Sequence, residues 1–314
     1  MRLIFMGTPE FAVSSLEVLY ERGDEVLLVI SQMDKPKGRG KKMMPTPVKQ
    51  KALEWGFPVY QPEKIKSDEA LEKLRSLKPD VIVVTAYGQI LSKEVLEAAK
   101  YGCINVHASL LPEYRGAAPM QFALMEGRKK TGVTTMMMDE GLDTGDMIDK
   151  VEVEIGEGET LSTLSRKLAE AGKIALHRTL KKIELSGTEI ERQKQDEEES
   201  SYASLLTKEM GIIPWEKSVE EIDCLIRAVE GWPSATTYYQ GEKVKIFAVE
   251  RTGKKNMGHR CGEIVEVKKD AIFVATGDEI VRIDEVQFPN KKRMKVGDYL
   301  LGNVIEKGVV LGRG

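Results

Sequence analysis

The sequence predicts an α/β protein: a Rossmann-like parallel sheet in residues 1–187, a linker in 188–203, and a small β-barrel in 204–314. Three observations carry this. Short apolar runs alternate with helix-period segments through the first part, a strongly polar stretch without apolar spacing follows, and the last part is a series of short β-rich runs.

Residues 3–6 form an apolar strand-like run, residues 11–22 have helical spacing and close on Gly23, and residues 26–31 are the next strand. Strand, helix, strand is a βαβ unit, whose strands lie parallel. Ser67 then caps a helical stretch carrying Leu71, Leu74 and Leu77. Residues 80–85 read as a buried strand, Ser92 opens another helix, and residues 104–106 are a further strand. Residues 132–138 and 147–153 read as strands, and from Thr160 the spacing of Leu161, Leu164, Leu168 and Ile174 marks a long helix. The run from Glu191 to Glu199 is polar throughout, which makes it a linker. Beyond it, Ser218 and Glu221 form a capping box ahead of Ile222, Leu225, Ile226 and Val229. Five β-rich runs follow, over residues 235–239, 244–249, 262–267, 272–275 and 280–286, with glycine turns such as Gln240-Gly241. A closed barrel hides the edges of such strands economically.

The 314 residues suffice for two cores. A composition of 41% hydrophobic and 31% charged residues with a net charge of −3 is that of a water-soluble globular chain, not a disordered one. No run approaches the ~18 apolar residues of a membrane span, and Met1 leads directly into an apolar strand without a signal segment, so the expected location is the cytoplasm. Cys103, Cys224 and Cys261 are scattered, form no C-x-x-C pair, and are expected to be buried reduced thiols.

Chemistry concentrates at Asn105-Val106-His107, at the end of an apolar strand, where open α/β sheets place their ligands. Alternation puts Asn105 and His107 on one face. An amide and an imidazole side by side can both donate to one oxygen that gains negative charge, as acyl transfer to an amine requires. On this pair alone, a satisfied interior histidine and a strand-end turn asparagine are the favoured reading. Residues 109–119 supply a loop with an apolar, proline-stiffened start suited to walling an apolar ligand, in which Arg115 reads as a solvated cation. The acidic turn of residues 139–146 supplies a carboxylate able to orient His107; as a metal loop its spacing fits no EF-hand. Gly7-Thr8-Pro9 follows a strand but lacks the G-x-G-x-x-G pattern, so no nicotinamide cofactor is indicated. The residues 136–138 are read as core, and neither His177 nor His259 has an identifiable partner.

Asn105-x-His107-x-Ser109-Leu110-Leu111-Pro112, Tyr114-Arg115-Gly116 and Asp143-Thr144-Gly145 resemble the signature of the folate-dependent formyltransferases. The similarity extends over essentially the whole chain, through Gly7-Thr8-Pro9-Glu10-Phe11-Ala12, Gly38-Arg39-Gly40-Lys41-Lys42, Ala86-Tyr87-Gly88 and Trp232-Pro233, and lies nearest the branch whose acceptor is initiator methionyl-tRNA. The resemblance implies a formyltransferase domain followed by an OB-like tRNA-binding β-barrel, acting as a monomer. It implies 10-formyltetrahydrofolate as donor, direct attack by the acceptor amine, and no metal. Asn105, His107 and Asp143 take the catalytic positions, Ser109, Leu110, Leu111 and Pro112 with Tyr87, Gly88 and Gln89 the folate site, and Arg39, Lys41 and Lys42 the contacts to tRNA. Nine further cations, Lys254, Lys255, Arg260, Lys268, Lys269, Lys291, Lys292, Arg293 and Lys295, are candidates for a backbone-tracking patch in the last part. A small-molecule acceptor, such as a sugar nucleotide or glycinamide ribotide, would share the catalytic three without needing the basic loop. A tRNA-binding module or a folate hydrolase stands as the alternative from a different class.

Overall fold

The computed structural model describes residues 1–37 and 42–312, without the side chains of residues 37 and 42. The chain divides into two compact units. The first holds Met1–Pro119, Lys130–Glu154 and Ser165–Ala203; the second holds Met120–Lys129, Ile155–Leu164 and the chain from Ser204 onward.

The first unit opens with β1 (Arg2–Gly7), α1 (Glu10–Glu21) and β2 (Glu25–Ile30). A short antiparallel pair, β3 (Lys35–Lys37) and β4 (Lys42–Met44), precedes α2 (Pro47–Glu54) and β5 (Val59–Tyr60). Helix α2 has a built start that the sequence reading missed: Thr46 accepts from Lys49 N, and Pro47 stands where a missing N–H costs nothing. Next come α3 (Asp68–Leu77), β6 (Val81–Thr85), α4 (Lys93–Leu96), β7 (Cys103–His107) and β8 (Arg115–Gly116). The expected cap of α3 is present, with the Ser67 hydroxyl accepting from Ala70 N. After α5 (Pro119–Met125), which passes to the second unit, follow β9 (Lys130–Met137), β10 (Met147–Glu154), α6 (Leu161–Ser186) and β11 (Tyr202–Ala203).

Seven strands make one sheet in the order β10-β9-β7-β6-β1-β2-β5. Pairings from β5 to β7 are parallel; β9 runs antiparallel to β7, and β10 antiparallel to β9. The sheet is therefore mixed, where a parallel one was expected. Antiparallel neighbours need only a turn, and residues 138–146 supply one, whereas parallel neighbours need a crossover. Strands β6 and β7 are buried along their whole length, which is why they read as unbroken apolar runs. The chain leaves β1 toward β2 and β5, then returns to lay β6 on the other side of β1, so a crevice opens beyond the carboxyl ends of β1 and β6.

Residues 188–203, expected to link two domains, instead run along the first unit. Gln193 exchanges backbone hydrogen bonds with Met147 at 2.8 Å, and β11 pairs parallel with β8. Hydrogen bonds hold this segment, so apolar spacing carried no sign of its attachment.

In the second unit α7 (Val219–Ala228) begins with the expected capping box. It is followed by β12 (Thr236–Tyr239), β13 (Glu242–Ile246), β14 (Glu250–Lys255), β15 (Ile264–Val267), β16 (Ile272–Ala275), β17 (Glu279–Ile283), β18 (Glu285–Gln287), β19 (Met294–Lys295) and α8 (Val296–Leu300). They form two four-stranded antiparallel sheets, β12-β13-β18-β19 and β14-β17-β16-β15. One apolar core serves both sheets and α7, with Val244 and Val286 from the first, Val274, Val281 and Ile283 from the second, and Ile222 and Ile226 from the helix. Strand β14, polar throughout, offered no apolar alternation to read.

Candidate active site

Strand β7 presents Asn105 and His107 on one face, 9% and 6% exposed, with Met136 and Thr134 of β9 directly across the ladder. The turn between β9 and β10 brings Asp143 to them. Asn105 Nδ2 donates to Asp143 Oδ1 at 3.2 Å, and His107 Nδ1 lies 3.6 Å from Asp143 Oδ2. His107 Nε2 sits 2.9 Å from the Tyr114 carbonyl; because a carbonyl only accepts, this nitrogen carries the hydrogen. Gly116 N donates to Asp143 Oδ2 at 2.8 Å, so the carboxylate is held by an amide and a backbone N–H, with the imidazole beside it. The arrangement can polarise an oxygen placed beside Asn105, whose amide has a second N–H, and can carry a proton along the Asp143–His107 pair.

Local backbone explains how this convergence is reached. Asp143 has φ +55°, in the left-handed region where Asp is among the better tolerated side chains. The Asp139 carboxylate shapes the start of the turn, accepting from Gly141 N at 3.1 Å and Thr144 Oγ1 at 2.7 Å. Gly116 has φ +112°, and a Cβ there would stand 2.7 Å from the Ala203 carbonyl; only glycine lets β8 and β11 approach so closely.

The loop after β7 is pinned at several points. Ser109 Oγ donates to Glu113 O at 2.6 Å, while the Thr134 hydroxyl donates to Ser109 O at 2.8 Å and accepts from Leu111 N at 3.0 Å. Leu111 is buried and its bond to Pro112 is cis, while Leu110 remains partly exposed. Arg115 corrects the sequence reading, since its side chain is fully buried, not solvated. Its Nη1 and Nη2 donate to the Glu197 carboxylate at 2.9 and 2.8 Å, its Nε to Gln195 Oε1 at 2.9 Å, and Tyr202 lies against it. The bonds Arg115 gives to Glu197 raise the Arg115 pKa, and the same bonds lower that of Glu197.

On the other side of the crevice, Tyr87 is buried in the core among Ile65, Leu91 and Val95, and burial pushes its hydroxyl pKa up. Its carbonyl accepts from Thr8 Oγ1 at 2.8 Å, and Gly88 follows with φ +90°. Gln89 turns its side chain to residues 62–65, accepting from Ile65 N at 2.9 Å and donating to Glu63 O at 3.2 Å.

Arg39 and Lys41 lie outside the described residues, and of Lys42 only the backbone in β4 is described. All nine cations singled out in the second unit are exposed, with Lys268, Arg293 and Lys295 paired to Glu266, Glu285 and Asp284. His259 has a partner after all, Glu263 at 3.4 Å. Cys103 and Cys224 are buried, the former with its thiol pKa pushed up to about 12 by burial; Cys261 is exposed, contrary to expectation. Among the described residues no group of three or more His, Cys, Asp or Glu side chains could hold a metal ion, and no helix is long and apolar enough to cross a membrane. Sequence reasoning missed Gln195, which the structure joins to the site through Arg115 and Asp143. Its only signal is a polar residue inside a polar run, which points nowhere by itself.

The chain corresponds to a known class of transferase. The formyl transferase family matches over residues 1–180, and the formyl transferase C-terminal domain over residues 205–304. The chain belongs to the formyl transferase family and is an enzyme of that class. Within the family it is similar to the methionyl-tRNA formyltransferase of Alkaliphilus oremlandii, 51% identical over 312 residues that cover 99% of this chain and 100% of the relative. In fold it is similar to the N-formyltransferase from Helicobacter canadensis in complex with folinic acid and dTDP-3-aminofucose, with a TM-score of 0.67 at 22% identity, covering 90% of this chain and 98% of that one. It is also similar to HypX from Aquifex aeolicus in complex with tetrahydrofolic acid, with a TM-score of 0.64 at 19% identity. That alignment covers 96% of this chain, which spans about half of HypX, 47%.

Proposed function

We propose that this enzyme transfers the formyl group of 10-formyltetrahydrofolate to the free amino group of initiator methionyl-tRNA, in the cytoplasm and as a monomer. The convergence of Asn105, His107 and Asp143 at the carboxyl end of β7 is the observation that carries the chemistry. The acceptor amine attacks the formyl carbon, an N–C bond forms, and the carbonyl oxygen becomes an oxyanion that Asn105 stabilises with its second N–H and His107 with the Nε2–H, redirected from the Tyr114 carbonyl. The C–N bond to the folate then breaks. The proton that leaves the attacking nitrogen ends on the folate nitrogen, with Asp143 orienting His107 and assisting that transfer. No metal or covalent enzyme intermediate takes part in this scheme.

Ser109, Leu110, Leu111 and Pro112 wall the donor, and the backbone of Tyr87, Gly88 and Gln89 contacts the pterin across the crevice. The tetrahydrofolic acid and folinic acid named for the two related structures support a folate at such a site. Arg39, Lys41 and Lys42 take the acceptor stem, and the second unit serves as an OB-like tRNA-binding barrel whose exposed cations track the backbone. The methionyl-tRNA formyltransferase relative, matched from end to end, favours this acceptor over a sugar nucleotide.

Formyl transfer from 10-formyltetrahydrofolate is to be measured with charged initiator methionyl-tRNA, uncharged tRNA and a small amine side by side. Product is expected only on the charged tRNA. Donor consumption without tRNA product would move the reading to a small-molecule acceptor or to hydrolysis.

A further inference from the structure

Residues 193–203 touch both loops that bear the proposed chemistry. Ser201 N donates to Pro112 O at 3.3 Å, Arg115 N donates to Ser201 O at 2.8 Å, and Ser201 Oγ accepts from Tyr114 N at 2.8 Å. These bonds tie the segment to the loop after β7. Gln195 ties it to the acidic turn: its Nε2 donates to the carbonyls of Asp143 and Gly145 at 2.7 and 2.8 Å. Its Oε1 accepts from Arg115 Nε at 2.9 Å, so both amide hydrogens and the carbonyl oxygen are engaged. Arg115, fully buried, also holds Glu197 through Nη1 and Nη2. Its planar fork thus fixes Gln195 in place as a lysine, with its single point of charge, could not. Asp143 meanwhile stands at φ +55°, in the left-handed region that non-glycine residues adopt uncommonly.

We propose that Gln195 is a positioning residue: anchored by buried Arg115, it clamps the Asp143 and Gly145 carbonyls and thereby sets the Asp143 carboxylate against His107 and Asn105. The kinetic consequence rests on the formyl-transfer reading; the geometric one does not. Nothing in Gln195 reaches the reacting atoms. Its effect passes through the place of one carboxylate, and a displacement of ~1 Å in a catalytic group is enough to cost on the order of 10²-fold in rate.

Gln195→Glu keeps shape and the acceptor for Arg115 but removes both donors, leaving two carbonyls facing a carboxylate. With the full-length variant, kcat is expected to fall roughly 30- to 100-fold while KM for either substrate stays within about threefold. A second readout is independent of activity. The chain has three histidines, so the His107 imidazole resonance is assignable from its loss in His107→Ala. In Gln195→Glu it is expected to shift, with those of His177 and His259 unmoved. Gln195→Met, of similar shape and without charge, serves where the glutamate variant does not fold, with the same expectation. An unshifted His107 resonance in the folded variant overturns the proposal. So does a kcat loss that tracks the thermal midpoint and vanishes at temperatures where the variant is fully folded. If the wild-type chain transfers no formyl group, the functional reading fails, and the His107 resonance still decides the clamp.

Discussion

Both units bury Ser and Thr hydroxyls, but the first also buries an amide, an imidazole and a guanidinium. The first places Asn105, His107 and Arg115 below a tenth exposed, while the buried polar side chains of the second are Ser234, Thr236, Thr237, Thr276 and Glu159, around a core of Ile, Val, Tyr and Phe. Small hydroxyls are easily satisfied by a neighbouring carbonyl; an imidazole, an amide and a guanidinium need several matched partners each, and their burial is costly without them. In the first unit those partners are Asp143, the Tyr114 carbonyl, Gln195 and Glu197. That is the mark of geometry held for chemistry, whereas the second unit is organised by apolar packing. The contrast predicts that damage in one unit is read as lost rate and damage in the other as lost stability.

The largest effect is expected at the carboxylate. Asp143→Ala removes the acceptor of Asn105 and Gly116 and the group facing His107, and turnover should fall about 10³-fold, near 4 kcal/mol of transition-state stabilisation. Because Asp143 remains 13% exposed, the fold should survive, with a thermal midpoint within a few degrees of wild type. Single-turnover rates alongside thermal unfolding check both halves. Near-normal turnover would remove Asp143 from the chemistry and dissolve the contrast.

The mirror experiment is in the second unit. Ile283 is fully buried between the two sheets, and Ile283→Ala should cost about 3 kcal/mol by urea unfolding. The rate of the chemical step per folded molecule should stay within about twofold. A loss of rate at constant folded fraction would mean that the second unit takes part in the chemical step.

How far the chain could be read follows the same division. Strands β1, β2, β6 and β7 were legible because burial on both faces demands unbroken apolar runs, and Asn105 with His107 was legible because alternation alone puts them on one face. Asp143 as their partner followed from family resemblance, since the fold that closes residues 105 and 143 together is long-range. The tie from residues 193–203 was illegible. Gln195 and Glu197 are a polar pair in a polar run, Glu197 is 71% exposed, and nothing local distinguishes a carboxylate facing water from one facing a buried Arg115. The β7–β9 antiparallel step was missed for a related reason, since direction depends on the connection and not on the strand's own residues.

The smallest expected effect tests the second unit where it is polar. At the start of α7, Ser218 Oγ accepts from Glu221 N at 3.3 Å and donates to Glu221 Oε2 at 2.8 Å, while Glu221 also accepts from Ser218 N and Lys217 Nζ at 3.0 Å. The Lys217 bond, followed by those from Ser218, holds the Glu221 pKa down to about 2 from its ordinary 4.5. Ser218→Ala should cost about 1 kcal/mol at neutral pH. A depressed folded pKa contributes stability that is complete above 4.5 and lost as pH falls toward about 2, because protonation must then break the bonds that favoured the carboxylate. The serine variant has one such bond fewer, so less is left for acid to remove. Its deficit relative to wild type should therefore narrow between pH 4.5 and 2, leaving the part due to the bond from Glu221 N, which does not titrate. Urea unfolding across that window measures the gap, and a deficit that stays constant with pH would assign the cap's whole effect to the helix backbone and none to the carboxylate.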